Sequence, residues 1–192
     1  MQLTAARIDP HVDNRSIEAR YTSGVYGKRS QVIVRGEGAY LWDDRGRRYI
    51  DCTAGIGVAN LGHAHPRLAE ALSRQASSLV TCPELFYNDR RAELLESLTS
   101  VLPEGLDRVF LCNSGTEAVE ACLKFARLST GRTDVVAAMR GFHGRTYGSL
   151  SATHKKKYRD PYRPLVPGFT HVPFNNYEKL EGAITEHTAA VI

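Results

Sequence analysis

The sequence predicts an α/β protein in which a short antiparallel meander precedes a mostly parallel sheet with helices on both faces. Three strand-like runs separated by turn residues lie within residues 31–52, which is the pattern of a meander. From Pro66 onward, short apolar runs alternate with segments of helical periodicity, an order that favours parallel strands connected by helices. The chain has 192 residues, 42% of them hydrophobic and 24% charged, the composition of an ordinary globular protein.

The N-terminal segment shows weak periodicity, although a short helix could begin at residue 17. The three predicted strands of the meander cover residues 32–34, 39–42 and 48–52. The turn before the third strand, DDRG at residues 43–46, offers an aspartate for side-chain capping and a glycine for positive φ. No residue of the meander has an evident catalytic role.

A glycine-rich loop, TAGIGVANLGHAHP, spans residues 53–66. It is not a dinucleotide-binding fingerprint, because Asn60 stands where the third glycine of G-x-G-x-x-G belongs and no helix opens directly from it. His63 and His65 stand two residues apart without a third ligand, which is weak support for a metal site. We instead expect His65 to cap the helix that Pro66 begins.

Two helices are predicted next. The first covers residues 66–79 and the second covers residues 88–102, where Pro103 and Gly105 end it. In each, apolar residues recur at the three- and four-residue spacing of a buried helix face. They are Leu68, Leu72, Ala76 and Leu79 in the first helix, and Leu94, Leu95, Leu98, Val101 and Leu102 in the second.

The most informative stretch is the run NSGTEA, which follows a predicted buried strand at residues 109–111 and opens a helix. Ser114 and Glu117 fit the S-x-x-E capping box, which makes Ser114 the N-cap. A helix N-terminus has unpaired amides and a partial positive charge, and so can bind an anion. Gly115 would let a ligand approach the backbone closely, and the hydroxyls of Ser114 and Thr116 would add donors. Most capped units of this kind bind nothing, so the motif also allows a purely structural role.

A further strand is predicted at residues 135–138, and the run GFHGRT follows it. Phe142 and His143 lie there between two glycines, which suits a flat ring stacked at the carboxyl end of a strand, where open α/β sheets bind ligands. The run is equally compatible with an ordinary βα loop that contains a core phenylalanine. Beyond it we predict a helix, a proline-rich irregular segment, a strand, a helix and a final strand, at residues 146–153, 158–168, 170–172, 175–185 and 189–192.

Several motifs in this order resemble the class III pyridoxal-phosphate aminotransferases of fold type I, in particular those of the acetylornithine type. They are RGEGAYLWDDRGRRYIDCTAGIGV, LGHAHP, NSGTEA, GFHGR and the final AAVI. The resemblance covers residues 31–192. It implies that residues 1–60 form an N-terminal arm and the β-meander of a small domain, and that residues 61–192 form the first part of a large cofactor-binding domain.

The resemblance also implies roles for particular residues. Ser114, Gly115 and Thr116 would hold the phosphate of pyridoxal 5′-phosphate, chiefly through the main-chain groups of the last two. Phe142 would stack on the pyridine ring, and Arg145 would meet a substrate carboxylate. The implied reaction moves an amino group from an ω-amino donor, such as N-acetylornithine, another acyl-ornithine or carrier-linked lysine, to 2-oxoglutarate. The implied enzyme is a homodimer. A cytoplasmic location is predicted separately, because the four cysteines are interpreted as reduced thiols.

Such an enzyme also needs an acidic partner for the pyridine nitrogen and a desolvated lysine that forms a Schiff base. The six lysines of this chain lie in sequence contexts typical of exposed positions. The resemblance places both missing groups beyond Ile192. We therefore expect no catalytic residue in this chain, which would be a truncated, N-terminal portion of an aminotransferase and inactive by itself.

The main alternative is a non-enzymatic α/β module that binds a phosphorylated ligand or a partner at the helix end near Ser114. A P-loop is excluded because no G-x-x-x-x-G-K-[ST] run occurs. The net charge of +4 is spread along the chain, and the basic run at residues 154–157 is interpreted as a surface turn, so nucleic-acid binding is not favoured. No apolar stretch suits a membrane span or a secretory signal, and four cysteines without metal-site spacing suggest reduced thiols.

Overall fold

The computed structural model describes residues 13–192, which fall into two compact units. The first unit is Met1–Asn88, described from residue 13, and the second is Asp89–Ile192. The predicted boundary between a small and a large domain, at residue 60, stays a prediction. Within the described range, no helix combines the length and the apolar character that a membrane crossing requires.

The first unit contains a short helix and an antiparallel meander. Helix α1 is Asn14–Tyr21, and the carboxylate of Asp13 caps it by accepting a hydrogen bond from the main-chain N–H of Ser16 at 3.2 Å. The three strands are β1, Ile33–Glu37; β2, Tyr40–Asp43; and β3, Arg48–Ile50. Each pairs antiparallel with the next. The predicted meander is therefore confirmed, with slightly different strand bounds.

The turn between β2 and β3 is organised by Asp43, whose side chain is buried. Its carboxylate accepts hydrogen bonds from the main-chain N–H groups of Arg45 and Arg47, the Nε of Arg47 and the hydroxyl of Tyr49, at 2.8 to 3.0 Å. Burial by itself would raise the pKa of Asp43, but the hydrogen bonds from Tyr49 and Arg47 outweigh it and lower the pKa to about 2. Gly46 has a φ of 77°, as the predicted turn requires.

Two further helical segments complete the first unit: α2, Ala54–Gly57, and α3, Pro66–Ala76. The helix predicted from Pro66 is thus confirmed, although it ends at Ala76 and not at residue 79. Its predicted buried face is wrong, because Leu68, Leu72 and Leu79 are exposed. Segment α2 is a tight left-handed turn, because all four of its residues have positive φ, between 45° and 82°. Left-handed backbone is unfavourable for residues with a Cβ, so Ala54 and Ile56 are strained here.

The second unit contains a parallel sheet of three strands. The strands are β4, Asp134–Ala138; β5, Phe169–Val172; and β6, Thr188–Val191. The helices are α4, Asp89–Thr99; α5, Gly115–Thr130; α6, Tyr147–Ala152; α7, Lys156–Arg159; and α8, Tyr177–Glu181. Strand β4 lies in the centre and pairs in parallel with β5 on one side and β6 on the other. The predicted parallel sheet and the alternation of strands and helices are confirmed.

Strand β4 is the core of the second unit. Val135, Val136 and Ala137 are consecutive and all buried, so both faces of this strand are covered, as the central strand of a parallel sheet requires. Helix α6 contributes Leu150 and Ala152 to the same core, and α5 contributes Leu123. The carboxyl end of β4 therefore leads from a rigid strand directly into the loop at residues 141–146.

The strand predicted at residues 109–111 is wrong. These residues are irregular, and Phe110 is 63% exposed, with its ring packed edge-on against Phe125. A strand needs a neighbouring ladder of hydrogen bonds, and in the described residues of this unit the sheet comprises β4, β5 and β6 only. The helix predicted at residues 175–185 is shorter than expected, since α8 covers only Tyr177–Glu181. We also predicted from the helical spacing that Tyr177 faces the inner side, which is wrong because it is 79% exposed.

Candidate functional site

The N-terminus of α5 is capped as the sequence predicts. The hydroxyl of Ser114 accepts a hydrogen bond from the main-chain N–H of Glu117 at 3.3 Å, and donates one to the Glu117 carboxylate at 3.0 Å. The same carboxylate oxygen accepts the main-chain N–H of Asn113 at 2.8 Å, one residue before the usual capping-box partner. Glu117 is therefore folded back over the cap, where its charge is held by local donors.

Two main-chain donors remain open at this helix end. Among the described residues, no atom accepts a hydrogen bond from the main-chain N–H groups of Gly115 or Thr116. A Cβ added at Gly115 would meet nothing within 4 Å. Packing within the chain therefore does not explain why glycine stands at this position. The open amides and the bare Cα form a surface suited to an anion.

The hydroxyl of Thr116 is engaged inside the protein. It lies 2.8 Å from the hydroxyl of Thr146 and 2.7 Å from that of Ser149, and these two hydroxyls lie 2.9 Å apart. We call these three side chains the hydroxyl cluster. Because the hydroxyl of Ser114 is also committed, to Glu117, neither predicted hydroxyl has a proton to spare for a ligand. The main-chain amides are the donors that remain.

The hydroxyl cluster ties the loop at residues 141–146 to the N-terminus of α5. A methyl group at Gly144 would overlap the hydroxyl oxygens of Thr116 and Ser149, so the loop backbone lies directly against the helix. The structure thus brings together the two motifs, NSGTEA and GFHGR, that sequence reasoning singled out separately. Neither motif by itself indicated this contact, because helix α5 and strand β4 separate the two motifs in the chain.

Phe142 lies in this loop, just after the carboxyl end of β4. Its side chain is 61% exposed and packs edge-on against Tyr158, with ring centroids 6.2 Å apart and planes at 78°. The alternative of a core phenylalanine is therefore wrong, and a broad aromatic face is available at the strand end. Arg145, in the same loop, is exposed as well.

His143 is partly buried, unlike its exposed neighbour Phe142. Its main-chain N–H donates to the hydroxyl of Thr153 at 2.9 Å, and its Nε2 is buried without a hydrogen-bond partner among the described residues. The ring packs over Gly141, where an added Cβ would lie 2.7 Å from Nε2. Burial lowers the pKa of His143. The side chain therefore supports the base of the loop in its neutral form.

Sequence reasoning missed three members of this junction. Glu120, Thr146 and Ser149 all hydrogen-bond across the contact between α5 and α6. The only sequence signal for Glu120 is its position one helical turn after Thr116, which places both on one face of the helix. That spacing does not reveal which element packs against the face.

The histidines of the glycine-rich loop do not form a metal site with other described residues, among which no group of three potential ligands occurs. His63 instead pairs with Asp51, with Nε2 and Oδ2 2.7 Å apart, and this contact holds the pKa of Asp51 well below its usual range. His65 occupies the N-cap position of α3, but its side chain makes no capping hydrogen bond. The predicted cap is therefore wrong, and Nδ1 of the ring is buried with no hydrogen-bond partner among the described residues.

Known proteins resemble the chain across both units. The Aminotransferase class-III family matches residues 23–192. The [LysW]-aminoadipate semialdehyde transaminase of Deinococcus radiodurans is 52% identical over 91% of this chain, which covers 41% of that protein. The acetylornithine aminotransferase of Methanopyrus kandleri is 47% identical over 94% of this chain, which covers 46% of that protein.

A solved structure gives the same result for the fold. The ornithine aminotransferase of Toxoplasma gondii, crystallised with partial occupancy of pyridoxal phosphate at its active site, superposes with a TM-score of 0.85 at 30% identity. The match covers 92% of this chain and 43% of that one. The chain thus spans less than half the length of the relatives it matches, and the predicted aminotransferase fold is confirmed. The chain belongs to the class III aminotransferases, a family that uses pyridoxal 5′-phosphate.

Proposed function

We propose that this protein transfers an amino group from an ω-amino donor to 2-oxoglutarate with pyridoxal 5′-phosphate as cofactor. The observation that carries the proposal is the contact between the 141–146 loop and the N-terminus of α5. It combines two open amides, at Gly115 and Thr116, with an exposed aromatic ring, at Phe142, in one junction. Because the chain covers less than half of its relatives, the activity is proposed for the whole protein.

The residues present fit a flat heterocycle with a phosphate group. The amides at the N-terminus of α5 would bind the phosphate, with Ser114 and Glu117 holding that helix end in place. Phe142 would cover one face of the ring and exclude water from it. When bound, pyridoxal phosphate supplies an electron-withdrawing ring that stabilises negative charge at the carbon bearing the amino group.

Substrate recognition is assigned to Arg145. This arginine is exposed and stands in the same loop as Phe142, three residues further along the chain. A guanidinium binds a carboxylate through two parallel hydrogen bonds, and 2-oxoglutarate and amino-acid donors all carry carboxylates. We therefore propose that Arg145 orients the carboxylate end of the substrate.

The amino donor is proposed to be N-acetylornithine, a related acyl-ornithine, or a carrier-linked lysine. The support comes from relatives named for acetylornithine and for [LysW]-aminoadipate semialdehyde, which are 47% and 52% identical to this chain. A homodimer is proposed by the same resemblance, and analytical ultracentrifugation of the protein from the complete reading frame tests it.

The lysine that would bind the cofactor covalently is not among the residues described here. All six lysines of the chain are exposed, and Lys28 forms an ion pair with Glu18. An amine that forms a Schiff base near neutral pH should be desolvated, and none of these six is. We therefore propose that the 192-residue chain is inactive by itself.

The experiment uses the protein encoded by the complete reading frame. It is incubated with 2-oxoglutarate and, in turn, N-acetylornithine, succinylornithine and a carrier-linked lysine, and glutamate formation is measured. The proposal predicts glutamate from at least one donor and a raised KM for 2-oxoglutarate in Arg145→Gln, whereas Arg90→Gln, on an exposed arginine of α4, should match the wild type. Uptake of pyridoxal phosphate without glutamate from any donor would favour the non-enzymatic module instead.

A further inference from the structure

Glu120 links α5 to α6 at the junction described above. It lies one helical turn after Thr116, on the same face of α5, and is half-buried. One oxygen of its carboxylate accepts hydrogen bonds from the hydroxyl of Thr146 at 2.5 Å and from the main-chain N–H of Ser149 at 3.0 Å. A single side chain of α5 therefore holds both the end of the 141–146 loop and the first turn of α6.

Glu120 replaces the local cap of α6. Thr146 occupies the N-cap position of that helix, yet its side chain makes no capping hydrogen bond. The main-chain N–H of Ser149, which an N-cap side chain would normally satisfy, is satisfied by Glu120 from the neighbouring helix. A carboxylate is also electrostatically favourable at a helix N-terminus. The position of α6 therefore depends on α5 and not only on its own sequence.

Glu120 also determines the direction of the hydrogen bonds that Thr146 makes within the hydroxyl cluster. A carboxylate has no proton to donate, so the hydroxyl of Thr146 must donate to it. The oxygen of Thr146 can then only accept from Thr116 or Ser149. The three hydroxyls make five close contacts: three with one another, one with Glu120 and one with the main-chain oxygen of Thr146. They have only three protons to donate to these five contacts. No proton is left over, which keeps the hydroxyl of Thr116 turned inward.

The backbone at Gly144 and Gly148 lies in close contact with side chains at the junction. A methyl group at Gly148 would overlap the carboxylate of Glu120, just as one at Gly144 would overlap the hydroxyl cluster. The 141–146 loop is thus held against α5 by close contact at Gly144 and by hydrogen bonds at Thr146. Phe142 stands two residues from the first of these contacts, so the junction restrains the stretch of loop backbone that carries it.

We propose that Glu120 is a positioning residue for the cofactor site. It fixes the distance between the open amides at the N-terminus of α5 and the ring of Phe142, so that one molecule can engage its phosphate and its heterocycle at the same time. The inference rests on the proposed use of these two features to hold pyridoxal phosphate. It adds a residue that touches neither the phosphate nor the ring.

The test compares two variants in the protein from the complete reading frame. Glu120→Leu removes both hydrogen bonds, whereas Glu120→Gln keeps an oxygen that can accept them. Binding of pyridoxal phosphate is measured by its absorbance, and binding of inorganic phosphate by competition. We expect Glu120→Leu to bind pyridoxal phosphate roughly 10-fold more weakly or worse while binding phosphate nearly as well as the wild type. Glu120→Gln should behave like the wild type with both.

Equal weakening toward both molecules, or no weakening, would overturn the inference, because a merely structural role would not separate phosphate from the intact cofactor. Amide hydrogen exchange without cofactor provides a second readout: Thr146 and Ser149 should exchange faster in Glu120→Leu than in Glu120→Gln, and equal rates would also overturn it. If Glu120→Leu does not fold, Thr146→Val removes the partner hydroxyl instead and should show the same selective loss.

The two levels of the proposal can fail separately. If the wild-type protein takes up no pyridoxal phosphate, the proposed function fails. The exchange rates of Thr146 and Ser149 still decide, in that case, whether Glu120 holds the loop.

Discussion

Two helix N-termini meet at the junction of α5 and α6, and they are satisfied in opposite ways. Helix α6 takes its cap from Glu120, and its first turn is closed by neighbouring side chains. Helix α5 has a local cap, from Ser114, and leaves the amides of Gly115 and Thr116 without a partner among the described residues. Because unpaired main-chain donors are uncommon in folded proteins unless water or a ligand meets them, the contrast supports the proposal that the α5 end binds the phosphate while the α6 end holds the loop in place.

Gly115 and Gly144 show the same difference between an open helix end and a closely packed one. Around Gly115 there is open space, so an added methyl group would meet no other atom within 4 Å. Around Gly144 there is none, because the hydroxyls of Thr116 and Ser149 fill the place of a Cβ. One glycine is thus explained by what the protein would bind, and the other by how the protein packs. The predictions below separate these two explanations.

The largest effect is expected for Gly144→Ala. The added methyl would overlap two hydroxyl oxygens, and the φ of 142° at this position is one that residues with a Cβ rarely adopt. We expect the second unit to lose about 3 kcal/mol or more of its free energy of unfolding. Chemical denaturation measures this loss. An unchanged midpoint would contradict the close packing of the loop against α5.

The second largest effect is expected for Gly115→Ala, which should weaken the binding of pyridoxal phosphate without lowering stability. Gly115→Ala adds a methyl group in open space, and alanine favours a helix over glycine by up to about 1 kcal/mol. We therefore expect a melting temperature at or above that of the wild type. Pyridoxal phosphate should nevertheless bind roughly 10-fold more weakly, because the methyl narrows the approach to the amides. Undiminished affinity would show that the open N-terminus of α5 is not the phosphate site.

A smaller effect is expected at Thr116. Thr116→Val keeps the shape of the side chain but removes the hydroxyl that contacts Thr146 and Ser149, and we expect a loss of about 1 to 2 kcal/mol in the free energy of unfolding. Thr116→Ser keeps the hydroxyl and serves as the matched control, with a loss of less than about 1 kcal/mol. Equal losses in the two variants would mean that the hydroxyl cluster contributes nothing to stability.

The smallest effect is a difference in acid sensitivity between the two units. Burial lowers the pKa values of His143 and His171 in the second unit, so the unfolded chain takes up these protons first and stability falls as the pH drops below about 6.5. In the first unit the pKa of Asp43 is lowered to about 2, so the stability it contributes is lost only as the pH falls from about 4 toward 2. Hydrogen exchange at pH 7, 5 and 3 should show β4 loosening before β2. The reverse order would contradict these pKa directions.

What the sequence predicted well depended on short-range signals. The capping box of Ser114 and Glu117 lies within one helical turn, so both partners can be identified from spacing alone. The meander was predictable for a similar reason, since its strands are neighbours in the chain and its turn at residues 43–46 has suitable residues. The motifs of the proposed site were found in the same way, one loop at a time.

What the sequence did not predict depended on distant contacts. Thr116 meets Ser149 across 33 residues, and nothing in either stretch indicates that α5 and α6 would share a hydroxyl cluster. Glu120 looked like an ordinary charge on a helix, because helical spacing shows a face but not its neighbour. The strand expected at residues 109–111 failed for a related reason, since three apolar residues suit a strand only where another strand pairs with them.

The central claim is that the N-terminus of α5 and the ring of Phe142 hold the same cofactor molecule. A crystal structure of the protein from the complete reading frame with pyridoxal 5′-phosphate tests this most directly. The account predicts the phosphate within hydrogen-bond distance of the main-chain N–H groups of Gly115 and Thr116, with the pyridine ring lying flat against Phe142. A phosphate bound elsewhere, or a cofactor ring that does not touch Phe142, would contradict it.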